Sequence, residues 1–358
     1  MRKLLLCAFL LFLVGTSVAE AGSEKRVVVK RHAAHTCATL PDGVRFPEGI
    51  TADPYTGHIY VSTFDFGNPN KLLRFNKHCD LVAVRDFGGT PLLGLAFNTR
   101  DDKVYIANFG ASKIQRIAAD FNDVTPIEDV ATIPGIGAPL PRTEGNPDGS
   151  TDTIIFGSNS FPAPNALTFN WAGDLFVSDS FQGAIFRINS ADSCATPCAV
   201  VTVKQHPLLA TAGFPPFGAN GIVFNSDESQ LFIANTGDDR ILRLPMAGGD
   251  PVVFAESING ADGLAYGGEG YLWVAANQAD EIVVLNSNGR VIAKLGDFFG
   301  IHHDGSPDGL LFPASLVIVG KWVYVTNLAL PLTGGDEPEA DVTKWTISRI
   351  RIPDELSY

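Results

Sequence analysis

Six times along the chain, an apolar strand opening on Gly or Ala is followed by a turn, by a strand rich in Tyr, Phe, Trp and Val, and by a third alternating strand. In one-letter form the openings are PEGITADPYTGHIYVST from Pro47, LLGLAFNTRDDKVYIAN from Leu92, PNALTFNWAGDLFVSD from Pro164, ANGIVFNSDESQLFIAN from Ala219, ADGLAYGGEGYLWVAAN from Ala261 and PASLVIVGKWVYVTN from Pro313. Third strands are predicted at Lys71–Asn76, Lys113–Ile117, Ala184–Asn189, Arg240–Pro245, Glu281–Asn286 and Thr346–Pro353. Fourth strands are predicted at Leu81–Phe87, Pro126–Thr132, Ala199–Gln205, Asp250–Glu256 and Arg290–Gly296, which leaves the sixth unit one strand short. A repeat of this kind buries its faces only against its neighbours, so six units form one ring. The expected fold is all-β, a six-bladed β-propeller of four-stranded antiparallel blades. The spare strand Arg26–His32 is expected to pair beside Thr346–Pro353 and close the ring with the N-terminal strand, leaving no open sheet edge.

Composition agrees: 36 Gly and 23 Pro with only 18% charged residues suit short strands and tight turns. Two insertions, Pro134–Pro162 and Leu328–Lys344, are rich in Gly, Pro and acidic residues and read as surface loops over one end of the ring.

The N-terminus carries Arg2 and Lys3, an apolar run from Leu4 to Val14, and small residues ending in Ala19-Glu20-Ala21, the pattern of a secretory signal cleaved after Ala21. Residues 1–21 are therefore assigned to the signal and 22–358 to a single propeller domain. Eleven apolar residues are too few to span a hydrocarbon core, which needs about 20, so no membrane anchor is expected. Cleavage removes two positive charges and one negative, taking the net charge from −13 to −14, and no basic patch for nucleic acid is visible. A secreted or periplasmic location follows.

Four cysteines remain after cleavage: Cys37, Cys79, Cys194 and Cys198. An even count in an oxidising compartment points to disulfides, with three possible connectivities. Local pairing, Cys37 with Cys79 and Cys194 with Cys198, is taken as the expectation. A zinc site is the rival, but Cys194-x3-Cys198 has no second Cys or His pair at matching spacing.

One residue precedes the small residue that opens each first strand: Glu48, Leu93, Asn165, Asn220, Asp262 and Ala314. First strands line the channel of a propeller, so these positions converge at one depth. Two carboxylates and two amides left unpaired there would be costly, and the carboxylates would raise each other's pKa. A divalent cation resolves the conflict, and oxygen-only ligands select Ca²⁺ or Mg²⁺ over zinc or copper. A site open to water and substrate on one side suits Ca²⁺. The bland alternative is that Asn and Asp merely satisfy backbone groups at strand starts, which leaves Glu48 unexplained.

These residues resemble the SMP-30/gluconolactonase/LRE family of six-bladed propellers, whose relatives include paraoxonases and diisopropylfluorophosphatase-like enzymes. The resemblance rests on FPEGI with Glu48, PNALTFN with Asn165, ANGIVFN with Asn220 and GADGLAYG with Asp262. It implies that these four hold a catalytic divalent metal, usually calcium, and that the substrate is a small molecule such as a lactone. No histidine stands at an equivalent inner position, so a paraoxonase-like histidine pair is not expected.

Other motifs carry less. His302 and His303 in IHHDGSPDG and the segment Asn146–Gly149 read as turns. Asp179 reads as a residue tying strands together. No G-x-S-x-G, H-E-x-x-H or P-loop is present. The expected function is a calcium-dependent hydrolase of an ester-like bond, a lactonase, with Asp262 activating water. The contrasting reading is a non-catalytic, NHL-like binding or scaffold module with a structural channel metal.

Overall fold

The computed structural model describes residues 33–156, 161–334 and 336–356. Its described residues form six four-stranded antiparallel sheets arranged as the blades of a propeller, with two added two-stranded hairpins. Blade one comprises β2 (Pro47–Ala52), β3 (Ile59–Thr63), β4 (Asn70–Phe75) and β5 (Leu81–Gly88). Blade two comprises β6 (Leu95–Asn98), β7 (Lys103–Asn108), β8 (Lys113–Ala118) and β9 (Glu128–Thr132). Blade three runs β12 (Pro164–Phe169), β13 (Leu175–Asp179), β14 (Ala184–Ile188) and β15 (Val200–Gln205). Blade four runs β16 (Ala219–Phe224), β17 (Gln230–Asn235), β18 (Arg240–Pro245) and β19 (Val252–Glu256). Blade five runs β20 (Ala261–Tyr266), β21 (Leu272–Ala276), β22 (Glu281–Leu285) and β23 (Val291–Leu295).

Blade six contains β26 (Pro313–Val319), β27 (Trp322–Asn327) and β28 (Thr346–Arg351), and its outermost strand comes from the other end of the chain. That strand is β1, His35–Thr39, paired antiparallel with β28. The closure is as the repeat count requires, but the strand differs from the one expected: Arg26–His32 lies outside the described residues, as does the segment 1–21 read as a signal. β1 is short and mostly exposed, as an edge strand can be.

The second strands supply the buried layers between blades. Tyr60, Tyr105, Phe176 and Trp273 lie on them and are almost fully buried, which is where aromatic and β-branched side chains pack best on a pleated surface. The insertion Pro134–Pro162 contains more order than expected of a loop, and the described residues of Leu328–Lys344 hold only one short 3-10 turn, Pro338–Asp341. Within 134–162, β10 (Arg142–Gly145) pairs with β11 (Thr151–Ile154) across the Asn146–Gly149 turn. A second hairpin, β24 (Phe298–Ile301) with β25 (Pro307–Gly309), carries His302 and His303 at its turn. His302 is half exposed and lies 3.8 Å from Asp308.

Cys37 is bonded to Cys79 and Cys194 to Cys198, with Cα separations of 5.5 and 5.6 Å. The first bridge staples the closing strand of blade six to the turn between β4 and β5 of blade one, across the seam of the ring.

Candidate active site at the channel mouth

The inner strands of five blades share one irregularity. Their ladders to the second strand skip two residues, between Pro47 and Ile50, Pro164 and Leu167, Ala219 and Ile222, Ala261 and Leu264, and Pro313 and Leu316. The first skipped residue is in each case the channel residue: Glu48, Asn165, Asn220, Asp262 and Ala314. Such a bulge re-aims a side chain and leaves backbone groups to be satisfied elsewhere. Hydroxyls on the second strands take that role. Ser62 Oγ, Ser178 Oγ and Thr326 Oγ1 each accept from the second skipped residue of their own blade (Gly49, Ala166 and Ser315) at 3.0, 2.9 and 3.1 Å. Each donates onward to the channel-residue carbonyl of the next blade: Leu93 at 2.6 Å, Asn220 at 2.7 Å and Glu48 at 2.6 Å. In blade two the link is direct, from Gly94 N to Asn165 O at 2.8 Å. The glycines fit because neighbouring blades meet backbone to backbone: a Cβ at Gly49 would lie 2.3 Å from Leu93 O, and one at Gly221 2.2 Å from Asp262 O.

Glu48, Asn165, Asn220 and Asp262 are all buried and all line one cavity of about 40 Å³, above the 10–15 Å³ a single water needs. The same four line a second cavity, of about 60 Å³, together with residues further along the inner strands such as Ile50, Leu95, Ile222 and Leu264. The structure thus brings together all four side chains singled out in the sequence, with Leu93 from blade two beside them.

Hydrogen bonds decide how the amides face. Ser180 Oγ donates to Ala219 O at 2.8 Å, and Thr236 Oγ1 donates to Ala261 O at 2.7 Å. With their protons committed, the two hydroxyls must accept, and they do so from Asn165 Nδ2 and Asn220 Nδ2, both at 2.9 Å. The Oδ1 atoms are what remains of each amide for the cavity. Asn277 Nδ2 donates to Asp262 Oδ2 at 3.0 Å. Glu48 Oε2 is buried without a hydrogen-bond partner among the described residues.

Burial pushes the Glu48 carboxyl well above its usual range, and the Asp262 charge raises it further. Burial raises Asp262 too, to about 7, with hydrogen bonds from Asn277 and Asn220 offsetting part of the rise. This donor set fits a hard divalent cation: two amide oxygens and two carboxylates, one of which, Glu48, has an oxygen with no partner among the described residues. Among the described residues no three His, Cys, Asp or Glu side chains are placed to hold a metal ion, so a cation here would depend on the amides.

Ser180, Thr236 and Asn277 were not singled out in the sequence, yet they stand at one repeat position, the residue that ends IYVSTF, VYIANF, LFVSDS, LFIANT, LWVAAN and VYVTNL. Blades three, four and five place a polar residue there and blades one, two and six place Phe64, Phe109 and Leu328. Aligning that column as well as the channel column would have found them. Asp179, one position earlier, accepts from Ala163 N, Phe181 N, Gln182 N and Gln182 Nε2, a strand tie. No histidine lines the cavity.

Residues 217–296, blades four and five with Asn220 and Asp262, match the family model described as SMP-30/Gluconolactonase/LRE-like region. The chain carries an SMP-30/gluconolactonase/LRE-like region. No curated protein is detectably similar in sequence. Solved structures share the fold of that region and its ring. A calcium-binding regucalcin from Agrobacterium tumefaciens is 14% identical, covering 90% of this chain and 96% of its own, with a TM-score of 0.59. A gluconolactonase from Xanthomonas campestris is 15% identical over 88% of this chain and 89% of its own, TM-score 0.53. Virginiamycin B lyase from Staphylococcus aureus is 16% identical over 89% and 98%, TM-score 0.53. At such identities the likeness is one of fold, and the fold carries more than one reaction.

Proposed function

We propose that the chain is a calcium-dependent hydrolase of an ester-like bond, a lactonase, with the cation held by Glu48, Asn165, Asn220 and Asp262. The observation that carries the reading is the convergence of two buried carboxylates and two oriented amides on one cavity, with Glu48 Oε2 left unsatisfied. The family region over blades four and five and the gluconolactonase and regucalcin folds support it. Mg²⁺ would suit the same oxygens less well, since it demands near-ideal octahedral geometry.

When bound, the cation would polarise the substrate carbonyl and offset charge on the oxyanion. The chain's own residues do the rest. Asn277 fixes Asp262, and Ser180 and Thr236 fix the amides, so the site is organised before substrate arrives. Asp262 accepts the proton as water adds to the acyl carbon, and the proton returns to the leaving oxygen as the acyl–oxygen bond breaks. The apolar residues around the mouth exclude other water.

The two bridges accord with an oxidising compartment, and the proposal includes export. No helix of the described residues is long and apolar enough to cross a membrane. A panel of lactones and aryl esters, assayed with Ca²⁺ and with chelator, tests the reading: turnover abolished by chelator and restored by Ca²⁺ is expected. Absence of chelator-sensitive turnover would favour the NHL-like binding module.

A further inference from the structure

The wall above the four channel residues says what kind of molecule fits there, given the hydrolase reading on which this inference rests. It is formed by Phe64, Phe217, Phe312, Leu328, Leu330 and Leu332, and no Lys, Arg or His contributes to it. Each amide nitrogen and hydroxyl lining the cavity already has a partner: Asn165 with Ser180, Asn220 with Thr236, Asn277 with Asp262, and Thr236 with Ala261 O. The apolar wall continues outward as packed rings. Phe64 lies edge-on to Phe66 at 4.9 Å and to Phe109 at 5.5 Å, while Phe109 meets Phe161 at 5.7 Å and Phe181 meets Phe217 at 5.7 Å. Phe66 is 71% exposed and Phe161 39% exposed, an unusual concentration of wet aromatic surface beside one cavity.

The mouth is therefore mixed. Blades one, three, four and five contribute oxygen acceptors, while hydrocarbon comes from Phe64 of blade one, Phe217 on the chain entering blade four, and Phe312, Leu328, Leu330 and Leu332 of blade six. A polyhydroxylated lactone entering here would lose water from its hydroxyls and, along the wall away from the cation-holding oxygens, find no donor or charge to replace it, whereas an alkyl or aryl group would bury against the rings. We propose that the substrate carries an apolar chain or ring seated on the Phe64–Phe217–Leu330 wall, with its ester-like carbonyl at the Glu48–Asp262 side, and that sugar lactones are poor substrates.

The test is a series of five-membered lactones bearing unbranched alkyl chains of increasing length, compared with gluconolactone, on the Ca²⁺-loaded full chain. Each added methylene should raise kcat/KM about 3–4-fold until the wall is covered, and gluconolactone should fall about 100-fold or more below the best alkyl lactone. A flat series, or gluconolactone matching it, would overturn the inference while leaving the hydrolase reading intact. The matching lactams, which are not hydrolysed, report binding alone by calorimetry. Lactam affinity that climbs with chain length without any lactone turnover would keep the apolar site and sink the hydrolase. Neither binding nor turnover would sink both. Leu332→Asn, partly exposed, and Phe66→Ser, exposed, should flatten the chain-length dependence while melting near wild type, and an unchanged slope in both would contradict the assigned wall.

Discussion

Thr326 Oγ1 donates to the carbonyl oxygen of Glu48 at 2.6 Å, joining residues 278 positions apart where blade six meets blade one. The same hydroxyl accepts from Ser315 N at 3.1 Å, so one side chain both satisfies the bulge of its own blade and holds the backbone of the neighbouring channel residue.

Thr326→Val keeps the shape and removes the bridge, leaving two buried backbone groups unsatisfied. We expect a loss of about 1–3 kcal/mol and weaker Ca²⁺ binding, because Glu48 is no longer held at its backbone. Thr326→Ser should retain most of both. Chemical denaturation of the three proteins checks this, and equal stability of the Val and Ser variants would contradict it.

Asp280 gives a prediction in pH. Its carboxyl is largely buried, accepts from Phe312 N at 2.8 Å, and faces Glu339, Asp297 and Glu281. Burial first, and these negative neighbours after it, raise it to about 6. A carboxyl raised on folding binds its proton more tightly in the folded state, so its contribution to stability is present below pH ~4 and is lost as pH rises toward and through 6. Asp280→Asn keeps the acceptor, and Asn tolerates the left-handed backbone there, φ 53°. Its melting temperature should gain on wild type between pH 4 and 7, by on the order of a few degrees, and then level off. A constant difference across that range would refute the assignment.

The repeat register was legible because the second strands are continuous apolar and aromatic runs. The third strand Arg240–Pro245 was located to the residue, and the Glu48, Asn165, Asn220 and Asp262 column followed from the same alignment. What escaped was polar. β1, HTCAT, is a mostly exposed edge with no apolar alternation, while the more apolar Arg26–His32 read as the better strand. RTEG and TDTI of the β10–β11 hairpin are wet on both faces and carry no periodic signal. Ser180, Thr236 and Asn277 each look like ordinary turn residues, and their common role appears only once the bulges place them beside the channel.

The two disulfides should differ in weight. Cys37–Cys79 closes a loop of 42 residues across the ring seam and Cys194–Cys198 one of 4 within blade three. In the chain-entropy model the longer loop stabilises more, so Cys37→Ser with Cys79→Ser should lower the melting temperature more than Cys194→Ser with Cys198→Ser. The reverse order would show that the seam does not depend on its staple.

The central claim is that Glu48, Asn165, Asn220 and Asp262 share one cation, and calorimetric titration with Ca²⁺ reads it most directly. Glu48→Gln and Asp262→Asn each remove one negative charge at nearly constant volume. Each should weaken Ca²⁺ binding by about tenfold or more, since neutral amides offset a divalent charge poorly. Added Ca²⁺ should raise the melting temperature of wild type and do so much less for either variant. The double variant should lose less than the sum of the two, because a site already broken by one change has little left to lose. Equal affinity in wild type, Glu48→Gln and Asp262→Asn would contradict the shared site.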